Sequence, residues 1–208
     1  MDSVISILVG YFLGSIPFGF LMGKLKGIDL RQEGSGNIGA TNVLRILGKP
    51  SGITVLVFDV LKGAMACWLA PMVVEVILGT AAFDFQIVAI TAGFSAVLGH
   101  NYTCWLRFKG GKGIATSAGV LLVLTPAGLA ISVATFLLLL ALTRIVSVGS
   151  LGAAVILPLG TWITGGRGAL LGIATLMGLL AVYKHRVNIR RLLAGTEPQI
   201  KQKKEEES

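Results

Sequence analysis

Charge is what this chain has least of. Asp, Glu, Lys and Arg make up 13% of its 208 residues, against 54% hydrophobic residues and a mean hydropathy of +0.82. A soluble domain of this length exposes too much surface to be covered by so few charges. The scarcity is also uneven, since residues 113–143 and 145–166 carry no charged side chain. Cysteine is nearly absent. Cys67 falls inside an apolar run and Cys104 in a polar loop, which argues against both a disulfide and a metal site. No GxxxxGK[ST] motif occurs, so a P-loop is not expected. No internal repeat is discernible, which counts against the many transporters assembled from repeated halves.

What is present is a series of long apolar runs, and these predict an all-α, polytopic membrane protein. Inside a bilayer every peptide group must bond within its own segment, and a helix needs about 20 apolar residues to cross. Seven segments fit: residues 4–22, 52–77, 85–99, 114–124, 127–142, 146–163 and 169–183. Pro126 divides the fourth from the fifth because it lacks an amide proton and restricts Thr125, the alternative being one kinked helix. Charge favours the division. Of the 18 Lys and Arg residues, 16 lie in residues 24–49, 107–112, 144 and 184–204. Placing all four stretches on the cytoplasmic side requires residues 114–142 to cross twice. The result is seven transmembrane helices, with the N-terminus outside and the C-terminus cytoplasmic.

Residues 4–22 read as a retained first span rather than a cleaved signal. Residues 1–198 then form a single membrane domain, and 199–208 a disordered polar tail. The formal charge of +8 suits anionic lipid headgroups, and nucleic acid is not an expected partner. Many of the 28 glycines are expected where helices approach closely, for example Gly10 with Gly14 and Gly172 with Gly178.

The polar loops carry the chemistry. In residues 34–45 the glycines Gly34, Gly36 and Gly39 free the backbone so that amide groups converge on an anion. A helix beginning after Gly39 would aim unsatisfied N–H groups at the same point. Ser35, Asn37 and Thr41 stand beside it. Asn42 and Arg45 share a helical face, and Arg45 can grip a phosphate with two parallel bonds. The bland reading is a glycine-rich turn with a surface arginine. In the second loop, Lys109-Gly110-Gly111-Lys112-Gly113 again joins free backbone to cations just ahead of an apolar run. Tyr102, Trp105 and Phe108 read as headgroup anchors, with Arg107 and Lys109 as topology-setting charges. Lys112, lying between glycines, is the expected phosphate ligand. In the third, His185 and Asn188 share one face, whereas Arg190 and Arg191 read as interfacial anchors.

Asp59 and Lys62 lie within one apolar run, where charge is costly unless paired, and predict an internal ion pair. Ser147 and Ser150 begin the sixth segment; Ser150 is a helix contact or a site residue. A transporter of phosphorylated metabolites is the alternative, but its cations belong at mid-membrane depth, and most of these sit at an edge.

These same residues carry a resemblance. Gly14-Ser15-Ile16-Pro17-Phe18-Gly19, residues 34–45, residues 58–63, Gly99-His100 with residues 108–116, and residues 185–197 resemble the bacterial acyl-phosphate-dependent glycerol-3-phosphate acyltransferases, the PlsY family. The resemblance implies seven spans in a bacterial inner membrane with the site on the cytoplasmic side. It implies transfer of a fatty acyl group from acyl phosphate to the 1-hydroxyl of glycerol 3-phosphate, with no cofactor or metal. Phosphate-binding and positioning roles would fall on Ser35, Arg45, Lys112, Ser150, His185 and Asn188, and the glycines of the first two loops, Gly110, Gly111 and Gly113 included, would shape the pocket. The His-x-x-x-x-Asp dyad of other acyltransferases is absent, since Trp105 and Arg190 stand five residues after the two histidines.

An acyl phosphate is already activated, so an enzyme needs to bring two anions together rather than make a strong nucleophile. No well-placed Asp or Glu is evident to take the hydroxyl proton. A substrate phosphate oxygen is the expected acceptor, with His185 second.

Overall fold

The computed structural model describes residues 1–79 and 84–200. Its regular elements are helical: α1 (Asp2–Ser15), α2 (Phe18–Leu25), α3 (Ala40–Leu78), α4 (Phe85–Asn101), α5 (Ile114–Leu124), α6 (Pro126–Thr143), α7 (Val146–Ile163), α8 (Gly168–Lys184) and α9 (Arg186–Leu193), with a short 3₁₀ turn at Cys104–Leu106.

The burial pattern is that of a membrane protein. Apolar side chains such as Leu138, Val155 and Leu179 face outward, while Ser6, Asn42, Asp59, Lys62 and His185 are buried. A soluble fold sorts these residue types the other way. Helix α1 packs against α4 and α3, α3 against α5, and α7 against both α6 and α8. Gly14 permits the first of these contacts, because an added Cβ would overlap the backbone of Ala96. Gly178 similarly lies against the Ala154 carbonyl, but Gly172 meets no neighbour and is not the packing position expected.

Three breaks in the helices organise the site. The expected first span, residues 4–22, is interrupted at Ile16–Pro17, because proline has no amide to continue the ladder. The Ile16 carbonyl is thereby released, and it accepts a hydrogen bond from Lys62 Nζ at 2.8 Å. Gly48, at φ 83° and ψ 177°, bends α3, so residues 40–47 form a separate arm in front of the long apolar part. The third break falls between Leu124 and Pro126, where the sequence placed it, and Pro126 becomes the first residue of α6.

By length and composition four helical stretches suffice to cross a membrane: Asp2–Leu25, Ala40–Leu78, Pro126–Thr143 and Val146–Ile163. A fifth follows if α8 and α9, bent by 55°, are taken together. At 17 residues α4 falls just short, and at 11 α5 falls well short. At the C-terminal end the Ile200 amide bonds the Arg144 carbonyl at 2.9 Å, so residues 199 and 200 are tied to the bundle. Residues 201–208 of the expected tail lie outside the described residues.

Candidate active site

One cavity of about 170 Å³ gathers residues from all three polar loops. Ser35, Asn37, Gly39, Thr41, Asn42 and Arg45 line it from the first, Lys112 and Gly113 from the second, and His185 and Asn188 from the third, with Ser147 and Ser150 from α7. Of the residues expected at the site, Gly34, Gly36, Gly110 and Gly111 do not line the cavity; they hold its walls.

The first wall is a loop tied by one side chain. Asn42 is buried; its Oδ1 accepts from the Ser35 amide at 3.0 Å, and its Nδ2 donates to the carbonyls of Glu33 at 3.0 Å and Leu30 at 3.3 Å. Its polar atoms are thus committed to the loop, and Asn42 shapes the site rather than offering free groups to it. Gly34 and Gly36 take φ of 59° and 69°, values that L side chains rarely adopt. Asn37 Oδ1 accepts from the Gly39 amide at 2.8 Å, and α3 starts at Ala40 as expected. Arg45 stands on this arm at the cavity and makes no ion pair among the described residues. Its guanidinium is free for an anion.

Opposite it, Lys112 Nζ donates to Asn188 Oδ1 at 2.6 Å. Burial pushes the Lys112 ammonium down to about 8; Glu197 opposes this, and the cations Arg191 and Arg45 add to it. Three cations, Arg45, Lys112 and Arg191, surround one small volume that the carboxylates of Glu197 and Asp59 also face, and an incoming phosphate would relax their mutual repulsion.

His185 is held by its Nδ1, 2.8 Å from the Ala181 carbonyl. That contact requires a proton on Nδ1 and leaves the neutral ring's Nε2 as an acceptor. Burial pushes the imidazole down to about 4, with Lys112 nearby acting in the same direction. At neutral pH it is an uncharged, weakly basic ring.

The sequence reading overlooked Glu197. Its carboxylate faces the cavity, accepting from Asn188 Nδ2 at 2.5 Å and Ser147 Oγ at 2.7 Å through Oε1, and from Arg191 Nε at 2.7 Å through Oε2. Burial would raise its carboxyl, but these bonds prevail and hold it below the ordinary range. An acid with three donors is a clamp and not a proton acceptor. It lies beyond α9, past the positive-φ Gly195, and no helical spacing relates it to Asn188. Arg191, expected as a headgroup anchor, turns inward to this carboxylate, while Arg190 is exposed as expected. Asp59 and His100 also reach the cavity. The expected Asp59–Lys62 pair is present at 2.7 Å, with both side chains buried.

A second cavity, of about 320 Å³, adjoins the first and shares Leu56, Ile114, Ala115 and Phe136 with it. Its remaining lining is almost wholly apolar, running between α5, α6, α7 and α8 through Leu121, Leu129, Leu157 and Met177.

An all-helical membrane protein with a cationic cavity opening into an apolar groove is built for an amphiphile with an anionic head. That is the class which fold and site define. The chain belongs to the glycerol-3-phosphate acyltransferase family, whose sequence model matches residues 4–195. It is 45% identical over 196 residues to a glycerol-3-phosphate acyltransferase of Desulfotalea psychrophila, covering 94% of this chain and 97% of the relative. To glycerol-3-phosphate acyltransferase 3 of Bacillus anthracis it is 44% identical over 192 residues, covering 92% and 91%. Among solved structures it is similar to PlsY (YgiH), an integral membrane glycerol 3-phosphate acyltransferase. The glycerol 3-phosphate form of that protein superposes with a TM-score of 0.85 at 37% identity, covering 97% of this chain and 96% of the other. The lysophosphatidic acid form gives a TM-score of 0.82 at 36% identity, with the same coverage.

Proposed function

We propose that this protein transfers a fatty acyl group from acyl phosphate to the 1-hydroxyl of glycerol 3-phosphate, releasing 1-acylglycerol 3-phosphate and inorganic phosphate. The observation that carries the reading is the joined pair of cavities. A cationic compartment suits two phosphates, and the groove leading out of it suits one acyl chain. The relatives are named as glycerol-3-phosphate acyltransferases, and a transporter reading finds no support among them.

The chemistry follows from charge. Two phosphates repel each other, and Arg45 and Lys112 offset that repulsion while holding the reactants together, with Ser35 on the same wall. The hydroxyl oxygen attacks the acyl carbon, the carbon–oxygen bond to phosphate breaks, and phosphate leaves with its electron pair. The hydroxyl proton passes to a phosphate oxygen, whose second pKa near 6 makes it the better base beside an imidazole pushed down to about 4. His185, through Nε2, accepts from the hydroxyl and aligns it. Ser150 and Asn188 complete the polar wall around the reactants.

The membrane arrangement we infer has seven passes, the N-terminus outside and the site on the cytoplasmic side of a bacterial inner membrane. The break at Pro126 and the nearly basic-free opposite end support it. The short α5 fits as a partial pass, because irregular backbone at membrane depth is tolerated where it lines a polar cavity, as Lys112 and Gly113 do here. Reporter fusions after Pro126 and after Arg144 should report opposite compartments; a shared compartment rejects the seven-pass arrangement. For the activity, purified protein in detergent should form lysophosphatidic acid from the two substrates without ATP or added metal. Vesicles that take up glycerol 3-phosphate and show no such conversion would overturn the reading.

A further inference from the structure

The buried charges behind the cavity have no part in the scheme above. Asp59 sits in the middle of α3, an acid at the edge of an anion site, where it repels substrate unless its charge is matched. Lys62 matches it, with Nζ 2.7 Å from Asp59 Oδ1, and the same Nζ donates to the Ile16 carbonyl freed by the Pro17 break. His100 Nδ1 approaches the same carboxylate oxygen at 3.6 Å. The pair is electrically neutral toward a phosphate, and its carboxylate lies against one side of the His100 ring.

The other side of that ring carries the second glycine loop. An added Cβ on Gly111 would overlap His100 Nε2, so the loop backbone rests directly on the imidazole. The Gly111 amide donates to the His100 carbonyl at 3.0 Å, and the Gly110 amide to the Asn101 carbonyl at 3.2 Å. Lys184 Nζ donates to that same Asn101 carbonyl at 2.9 Å, tying α8 to the same point. The residue that follows is Lys112.

We propose that Asp59 and His100 are positioning residues for Lys112: the carboxylate fixes the imidazole, and the imidazole fixes the height of the loop from which Lys112 reaches the phosphate. Neither residue touches the reacting atoms. Lys112 has a long flexible stem, and a misplacement of about 1 Å costs on the order of 100-fold in such a site. A platform anchored by a neutralised charge pair removes that freedom.

The inference rests on the acyltransferase reading, and its test separates the two. If wild-type protein forms no lysophosphatidic acid, the proposed function is wrong, and the labelling described next still judges the positioning. Lys112 is labelled with an amine-directed reagent, with and without inorganic phosphate, and followed by peptide mass spectrometry. Phosphate should protect Lys112 in the wild type, and protection should fall about tenfold or more in His100→Ala. Unchanged protection overturns the proposal. In kinetics, His100→Ala should lower kcat/KM about tenfold or more, yet cost nothing further in a Lys112→Ala background, since coupled residues are not additive. Losses that multiply would show that His100 acts on its own, as a merely structural residue does. Asp59→Asn strands the Lys62 charge and endangers folding, so Asp59→Asn/Lys62→Met, which removes both charges, is the second variant. It should reproduce the His100→Ala loss of protection; wild-type protection there would remove Asp59 from the assignment.

Discussion

The two glycine-rich loops at the cavity look alike in sequence and are built on different principles. The first, around Gly34, is held by hydrogen bonds from one side chain, Asn42, and its glycines are there for positive φ. The second, around Gly111, has backbone hydrogen bonds to the His100 and Asn101 carbonyls and in addition a seat, its backbone lying on the His100 ring with no room for a Cβ. A tied loop can stretch, whereas a seated loop can only be lifted off. The difference assigns the two loops different tolerances. It also assigns them different cations: Arg45 stands free on an exposed arm, and Lys112 is half-buried and already bonded to Asn188.

The largest effect should come from the seated loop. Lys112→Ala removes the cation that the platform aims at a phosphate, and loss of one such electrostatic group costs about 100-fold or more in rate. Steady-state kinetics on folded, inserted protein decides it; a loss of less than about threefold would mean that the loop has no electrostatic role.

Next is a direct contrast of the loops. Gly111→Ala should lower kcat/KM by more than about tenfold, because the Cβ would overlap the buried His100 ring, which is packed on both sides. Gly34→Ala also places a Cβ 2.5 Å from Asn42 Oδ1 at a φ of 59°, but the atom it meets is the far end of an amide side chain rather than a packed ring. Its loss should be smaller. The reverse ranking would break the comparison.

Arg45→Lys keeps the charge and discards the fork. Losing one of two charge-assisted bonds should raise the KM for glycerol 3-phosphate about tenfold, with the acyl-phosphate KM moving much less. Near-native constants would return Arg45 to the membrane surface, and a shift confined to acyl phosphate would assign it to the other phosphate.

The pH profile sharpens the contrast between the cations. Lys112, pushed down to about 8 by burial, is charged below that value and loses its proton as pH rises through it. Since kcat/KM reports the free enzyme, it should fall above about pH 8. Lys112→Arg stays charged and should carry this limb out of range, whatever its absolute rate. A limb that persists belongs to another group. The smallest effect is expected at Lys109, which is exposed outside the cavity. Lys109→Ala should change kcat/KM by less than about threefold.

Much of this arrangement is legible in the sequence. Apolar runs set the helices, because a bilayer leaves a backbone no other partner, and proline set the break at Leu124–Pro126 by removing an amide. The glycine- and cation-rich loops marked the phosphate end, since only an anion makes such a cluster worthwhile at a membrane surface. The Asp59–Lys62 pair was legible because two buried opposite charges three residues apart on one helix lie within reach of each other. Tertiary structure decided the rest. Glu197 joins Ser147 and Asn188 only because the chain turns back at Gly195, and no periodicity relates those three positions. Arg191 and Arg190 are adjacent in a helix, and only the position of Glu197 turns one inward and leaves the other exposed. Gly111 meets the His100 ring because the chain after α4 folds back onto that helix's last turn, a relation of shape that residue types along a chain do not encode.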